Sequence, residues 1–343
     1  SDTPRPSRHR TQRRIDAMTT PITPTTPITR LAPSTTGDLH LGHARTFLLT
    51  WALARREGWR LVLRFEDLDP ERATAAARDR AVETLAFLGI DHDGTPLTQS
   101  VDPAPYHEAM RRLAERGLVF ASDLSRREIR EAIAAPHAGG ELRFDPSLRP
   151  PAGKAWSFGD PDRGHRFATP PQAIEFEDEL LGPQRHIPAG ECGDFALWTR
   201  DGLAGYQLAV VVDDARQGVT DVVRGDDLLA STARQILLQR GLDLPSPRWW
   251  HLPLVHDAAG TRLAKRHDAL SIDTLRRRGA TPERIAGIVA WWCRWIDAPT
   301  PLDPRRLQEF VSPASLREVA ARESDPGRRP RVVEETLSWL CSD

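Results

Sequence analysis

No run of this 343-residue sequence approaches the roughly 20 consecutive apolar residues that a bilayer-crossing helix needs, so no membrane-spanning helix is expected. Cysteine is scarce. Cys192, Cys293 and Cys341 lie far apart, no pair has zinc-ligand spacing, and nothing suggests a disulfide framework, so a reducing cytoplasm is the expected setting. Neither sign of charge dominates: 47 Lys and Arg stand against 48 Asp and Glu, for a net charge of −1. Any nucleic-acid surface must therefore be a local patch and not a global basic field. No internal repeat is evident. What is present is ordinary for a globular protein, with 39% hydrophobic and 28% charged residues and length enough for one large or two ordinary domains.

Residues 1–28 are poor in apolar side chains, with Arg5, Arg8, Arg10, Arg13 and Arg14 followed by a Thr/Pro repeat from Thr19 to Pro27. They read as a disordered tail, either a solvated leader upstream of a start at Met18, an RNA-binding arm or a transit peptide. From residue 29 to 134 strand-like and helix-like segments alternate. Arg60–Phe65 is β-rich and ends in Glu66-Asp67-Leu68-Asp69. A helix follows with Thr74 as cap, another spans Ala104–Arg116, and a third opens on the capping box Ser125–Glu128. This rhythm predicts an α/β fold with a doubly wound parallel sheet. Residues 135–194 change character and read as an α+β insertion. The α/β pattern resumes over 195–266, with a strand at Val219–Val223, a helix from Leu228 to Gln239 stopped by Gly241, a strand from Trp249, and a basic loop containing Lys265. Residues 267–343 read as a short helical C-terminal region, with helices near Ser271–Arg278, Pro282–Trp295 and Val332–Leu340.

The segment Arg30–His43 organises this pattern. Thr35, Thr36, Gly37 and Asp38 are turn and cap residues, and from Leu41 the apolar positions Leu41, Ala44, Phe47, Leu48, Trp51 and Ala52 recur at helical spacing. Arg45, Thr50, Arg55 and Arg56 fall on the other side of that helix, which Gly58 stops. His40 and His43 thus bracket Gly42 in the first turn of a helix that follows a strand. Unpaired N–H groups and the positive end of the dipole suit a phosphate there, and imidazoles can donate to its oxygens. Taken alone, the pair is equally readable as capping and packing.

Motifs spread in chain order from residue 30 to 266 now resemble the glutamyl branch of the class I aminoacyl-tRNA synthetases. Arg30-Leu31-Ala32-Pro33-Ser34-Thr35-Thr36-Gly37 resembles its Arg-Phe-Ala-Pro-Ser-Pro-Thr-Gly, and His40-Leu41-Gly42-His43 its His-Ile-Gly-His. Arg64–Asp69 resembles Arg-Ile-Glu-Asp-Leu-Asp, and Gly218–Leu229 resembles Gly-Ile-Thr-His-Val-Val-Arg-Gly-Glu-Asp-Leu-Leu. Arg262-Leu263-Ala264-Lys265-Arg266 stands where the Lys-Met-Ser-Lys-Ser loop belongs. The resemblance implies a Rossmann-like catalytic domain and a ligase that joins glutamate to ATP as an adenylate. It implies that His40, Gly42, His43 and Lys265 bind ATP, with His40, His43 and Lys265 acting in catalysis. It places Arg30, Leu31, Ala32, Pro33, Ser34, Glu66, Tyr206 and Arg224 around glutamate, and Mg²⁺ arrives with ATP. Arg64 and Asp69 are expected to be structural.

Too few residues follow Lys265 for a separate anticodon-reading domain, so the chain looks like a member of the truncated glutamyl-Q tRNA(Asp) synthetase family. That resemblance implies tRNA-independent activation and transfer of glutamate to queuosine in the anticodon loop of tRNA(Asp), by a monomer. Arg234, Arg240 and Arg276–Arg278 are candidates for phosphate contact, or simply solvated helix faces. Three departures stand out. Where many family members carry a zinc-binding Cys-x-Cys, this chain has Ala121-Ser122-Asp123-Leu124-Ser125, so no zinc is expected. Ala264 replaces the usual serine before Lys265, and the N-terminal extension has no counterpart. A different amine or thiol acceptor, or a non-catalytic regulatory paralogue, remain as alternatives.

Overall fold

The computed structural model describes residues 26–133, 143–261, 263 and 270–342. The tail expected at the N-terminus lies almost wholly outside the described residues, as do Arg262, Ala264, Lys265 and Arg266 of the basic loop.

The chain opens with β1 (Ile28–Leu31), α1 (Leu41–Arg56), β2 (Arg60–Phe65), α2 (Ala75–Phe87), β3 (Leu97–Thr98) and α3 (Ala104–Glu115). It continues through β4 (Val119–Ala121), α4 (Arg126–Ile133), β5 (His165–Phe167), β6 (Ile174–Asp178), β7 (Gly182–His186), α5 (Pro188–Glu191) and β8 (Ala196–Trp198). The second half of the parallel sheet follows as α6 (Tyr206–Arg216), β9 (Asp221–Gly225), α7 (Leu229–Leu242) and β10 (Arg248–Leu252). The chain closes with β11 (His256–Asp257), α8 (Ile272–Arg277), α9 (Pro282–Trp292), α10 (Leu307–Phe310), α11 (Pro313–Glu323), β12 (Arg331–Val332) and α12 (Glu334–Leu340).

β1, β2 and β3 pair in parallel, and so do β9, β10 and β6, with β7 antiparallel on the outer edge. Thr220 joins the two halves, its N–H donating to the Ile28 carbonyl at 2.9 Å and its Oγ1 accepting from the Ile28 N–H at 2.8 Å. The strand order therefore reverses between β1 and β9, and the crevice at their carboxyl ends is where such sheets bind ligands. Period-two alternation covers both faces. Leu61, Leu63, Phe65, Val223, Trp250 and Leu252 join α1 and the C-terminal helices in one core, while Val62, Val222 and Trp249 join α3, α6 and α7 in the other.

Local signals explain most boundaries. Thr74 accepts from the Ala77 N–H at 3.0 Å and starts α2, and Ser125 with Glu128 forms the expected reciprocal cap. Three expectations need correction. Gly241 does not stop α7, which runs on to Leu242 and ends at Asp243 in the left-handed conformation with φ of 51°. A Cβ at Gly241 would stand 2.9 Å from Leu113, so this glycine serves close helix packing instead. Arg45 and Thr50 do not face solvent; each is 1% exposed. Helices α10 and α11 are additional to those expected, and α11 is capped by Ser312 with Pro313 in its first turn.

In the small β4–β5–β8 sheet, Arg166 of β5 bonds Ser122 and the Asp194 carbonyl, both at 3.1 Å, pairs with Glu128, and lies 4.3 Å over the Phe144 ring. Ser122 thus enters a network centred on one arginine. Among the described residues, no group of three or more His, Cys, Asp or Glu is placed to share a metal ion, and no helix is long and apolar enough to cross a membrane.

Candidate active site

A cavity of about 310 Å³ lies at the switch point, and its wall contains His40, Gly42 and His43 together with Arg30, Leu31, Ala32, Pro33 and Ser34. Glu66, Tyr206 and Arg224 complete it. All described residues expected around ATP and glutamate therefore line one pocket.

The helix cap is built by the histidines themselves and not by Thr35, Thr36 or Asp38. His40 is the N-cap of α1; its Nδ1 accepts from the Gly42 N–H at 3.1 Å, and its own N–H donates to His43 Nδ1 at 3.2 Å. The rings stack with centroids 3.7 Å apart. With both Nδ1 atoms accepting, each neutral ring carries its proton on Nε2. A Cβ at Gly42 would stand 3.0 Å from the His40 ring, which explains glycine between them. Capping and phosphate recognition are thus compatible: the first fixes the tautomer that the second needs.

Alternation along the strands puts Arg30, Arg64, Glu66 and Arg224 on the sheet face covered by α6. Ser34 forms a parallel bridge with Glu66, and the Glu66 N–H donates to the Pro33 carbonyl at 3.2 Å. This pairing holds the loop beside the carboxylate. Asp214 of α6 binds the arginines from below, accepting from Arg64 Nη1 at 2.6 Å and from Arg30 Nε at 3.3 Å. Arg30 also donates to the Val223 carbonyl at 3.2 Å, and Arg64 Nη2 reaches Glu66 at 3.1 Å. Burial opposes the charge of Arg64, but Asp214 and Glu66 together hold its pKa above the ordinary value. Burial raises the Glu66 pKa, against the pull of Arg64 and Arg30. It raises that of the Tyr206 hydroxyl too, with the Glu66 charge adding to the shift, so Tyr206 is a neutral donor.

Arg224 is different. It is 5% exposed, and its donors go to Thr232 Oγ1 at 2.7 Å, Gln235 Oε1 at 2.9 Å, His251 Nε2 at 3.0 Å and the Leu228 carbonyl at 3.3 Å. None of these partners carries a negative charge. Burial pushes its pKa down to about 10, which still leaves a full cation at neutral pH. A buried cation held by neutral groups in a pocket wall is prepared for an anionic ligand.

Lys265 lies outside the described residues. The chain leaves the described fold at Leu263, in the pocket wall, and returns at Leu270; the next residue, Ser271, is bridged to His40. Of the candidates for phosphate contact, Arg234 is 7% exposed and sits 6.0 Å from the Phe195 ring, whereas Arg240 and Arg276–Arg278 are exposed. Asp214, which bonds Arg30 and Arg64, and His251 and Asp178, which lie behind Arg224, are buried polar groups that the motifs do not include. The signals were a buried acid in an apolar helix and a lone histidine in an apolar strand.

A parallel sheet whose switch point carries a histidine-capped helix and an arginine-rich pocket is the architecture of a class I aminoacyl-tRNA synthetase core. The family model of the class I tRNA synthetases (E and Q), catalytic domain, matches residues 28–292. A glutamyl-Q tRNA(Asp) synthetase of Symbiobacterium thermophilum is 41% identical over 326 residues, 91% of this chain and 97% of that protein. One of Nocardia farcinica is 42% identical over 324 residues, 92% and 93% of the two chains. The crystal structure of glutamate-tRNA synthetase from Elizabethkingia anophelis superposes with a TM-score of 0.69 at 23% identity, covering 92% of this chain and 70% of that one, a likeness of fold. The chain belongs to the class I (E and Q) tRNA synthetases and, within them, to the glutamyl-Q tRNA(Asp) synthetase family. It is a ligase of the glutamate–tRNA type, and its family uses ATP.

Proposed function

We propose that this chain activates L-glutamate with ATP in the absence of tRNA and then transfers the glutamyl group to the queuosine base of tRNA(Asp). The observation that carries the first half is Arg224, a buried guanidinium whose hydrogen bonds within the described residues go to neutral groups, facing a pocket that also holds Glu66. The γ-carboxylate of the substrate completes the Arg224 fork, and the α-ammonium group pairs with Glu66. Arg30, Tyr206, Ser34 and the loop Leu31-Ala32-Pro33 enclose the rest. The second half rests on the names of the relatives, which this chain matches over most of their length.

In the activation step an oxygen of the α-carboxylate, the one not held by Arg224, attacks the α-phosphorus of ATP. The new P–O bond forms as the bond to pyrophosphate breaks. The nucleophile is already ionised, so no general base is required. What is required is in-line placement and positive charge at the phosphoryl oxygens. His40 and His43 donate from the helix start and Lys265 from the loop, with Mg²⁺ carried in on ATP as part of the substrate. Removal of one such donor costs on the order of 10²–10³ in rate. Lys265→Ala is expected to slow glutamate-dependent pyrophosphate exchange by that factor; a near-normal rate removes Lys265 from the chemistry.

The Glu66 assignment has a pH signature. Glu66 must be ionised to hold the ammonium group, and burial raises its pKa above the ordinary carboxylate value. As pH falls, kcat/KM for glutamate is therefore expected to decline with an apparent pKa above that of the substrate's own side-chain carboxylate, about 4.3. A profile flat down to that value contradicts the role. For the acceptor, radiolabelled glutamate, ATP and tRNA(Asp) with or without queuosine give the test. Label that enters only queuosine-bearing tRNA supports the assignment, and label indifferent to the base refutes it.

A further inference from the structure

Behind Arg224, outside the pocket wall, lie two groups that the adenylate chemistry leaves unused. We propose that Asp178 and His251 are positioning residues that fix the orientation of the Arg224 guanidinium, and thereby the glutamate carboxylate bound to it. The inference rests on the reading of Arg224 as a glutamate ligand.

The sheet brings the three together. His251 of β10 is the register partner of Arg224 on β9, and Asp178 of β6 is the register partner of Trp249, two residues before His251 on the same face. His251 and Asp178 are each fully buried at both side chains. His251 Nδ1 and Asp178 Oδ2 are 2.5 Å apart, and His251 Nε2 lies 3.0 Å from Arg224 Nε. A guanidinium nitrogen only donates, so Nε2 must accept, and the single ring proton must sit on Nδ1 facing the carboxylate. Burial pushes the His251 pKa down to about 4, so the ring is neutral at working pH. Asp178 is itself anchored, its Oδ1 accepting from the Leu180 and Leu181 N–H groups, both at 3.0 Å. Trp249, 5.0 Å from the guanidinium, limits rotation about the remaining axis. Charge is conserved along the relay: one carboxylate, one neutral ring, one guanidinium, with no proton transferred.

Asp178→Asn tests the relay with almost no change in volume. The asparagine oxygen takes over the two backbone donors, and its NH₂ group then faces His251 Nδ1. The ring is driven to the opposite tautomer, Nε2–H meets the Arg224 Nε–H, and the fork turns away. His251→Gln offers both a donor and an acceptor and should restore the arrangement, whereas His251→Leu removes it. A lost hydrogen bond to a charged group corresponds to about a 10- to 100-fold change. In glutamate-dependent pyrophosphate exchange with the full chain, Asp178→Asn and His251→Leu should raise KM for glutamate by that factor with KM for ATP unchanged, and His251→Gln should stay within about threefold of wild type. Equal loss toward both substrates, or an unchanged glutamate KM in Asp178→Asn, overturns the proposal. ¹⁵N imidazole spectra of the wild-type protein provide a readout independent of glutamate. An inert wild-type enzyme whose His251 is protonated on Nδ1 would refute the glutamate reading and leave the relay standing. Protonation on Nε2 would refute the relay whatever the activity.

Discussion

Arg224→Leu is expected to reduce kcat/KM for glutamate in pyrophosphate exchange by between about 30-fold and several thousand-fold, with the affinity for ATP little changed. The range follows from the cost of truncating one member of a buried, hydrogen-bonded charge pair, about 2–5 kcal/mol, at about 1.4 kcal/mol per decade. The upper part applies if the ligand carboxylate, once desolvated, finds no other donor. Arg224→Lys tests geometry apart from charge. The ammonium keeps the positive charge but cannot supply the planar fork that bonds Thr232, Gln235 and His251 together. A lysine variant that restores glutamate affinity would show that charge alone suffices, and the positioning role given to His251 would fall with it.

Arg45→Met is expected to lower the stability of the folded protein by about 3–5 kcal/mol, measured by urea denaturation. Arg45 sits in α1, two residues after His43, with its Nη2 3.0 and 2.9 Å from the two oxygens of Glu323 and its Nη1 2.6 Å from the Pro253 carbonyl. Both side chains are at most 2% exposed. Burial works against the charge of Arg45, but Glu323 holds its pKa above the ordinary value, while burial of the neighbouring Cys293 thiol pushes its pKa up to about 11. Removing the guanidinium takes both Arg45 bonds from the buried Glu323 carboxylate and leaves it, among the described residues, only Arg322, 3.2 Å from one oxygen. The double variant Arg45→Met with Glu323→Leu should recover most of the loss, because it removes both desolvation costs together. The pair ties the histidine helix to α11 and to the strand end that leads into the lysine loop. Loss of stability in the single variant should therefore be accompanied by slower adenylate formation. A single variant as stable as wild type would show that this contact is dispensable.

Both predictions concern side chains whose importance was unevenly visible in the sequence. Arg224 was legible because its chemistry is local: it ends a β-rich run inside a motif, and a strand end in a parallel sheet delivers side chains to a ligand. The histidine helix, β2 and the Thr74 cap were legible for the same reason, since spacing and capping rules act over a few residues. The burial of Arg45 was not legible, because helical spacing puts it off the apolar face without reporting what covers it, and its partner Glu323 lies on α11, which is additional to the expected helices. The Ser312-Pro313 start of that helix was an available signal. Asp178 and His251 were missed for a different reason. Their contact depends on β6 joining β10 in the central sheet, a pairing between distant segments that no local pattern announces. Gly241 shows the reverse error, a local rule obeyed on paper and overridden by close packing against Leu113. What the sequence leaves out is thus long-range pairing of buried charge, and that is what supports the site from behind.

The central claim is that the pocket of Arg224, Glu66 and the two histidines activates glutamate unaided. The most direct measurement is exchange of labelled pyrophosphate into ATP by the full chain, with no tRNA present, across L-glutamate, L-glutamine and L-aspartate. The account predicts saturable exchange with glutamate and rates at least tenfold lower with the other two, because a carboxylate at glutamate length completes the Arg224 fork while an amide or a shorter chain does not. Silence with glutamate until tRNA is added, or equal exchange with glutamine, would contradict it.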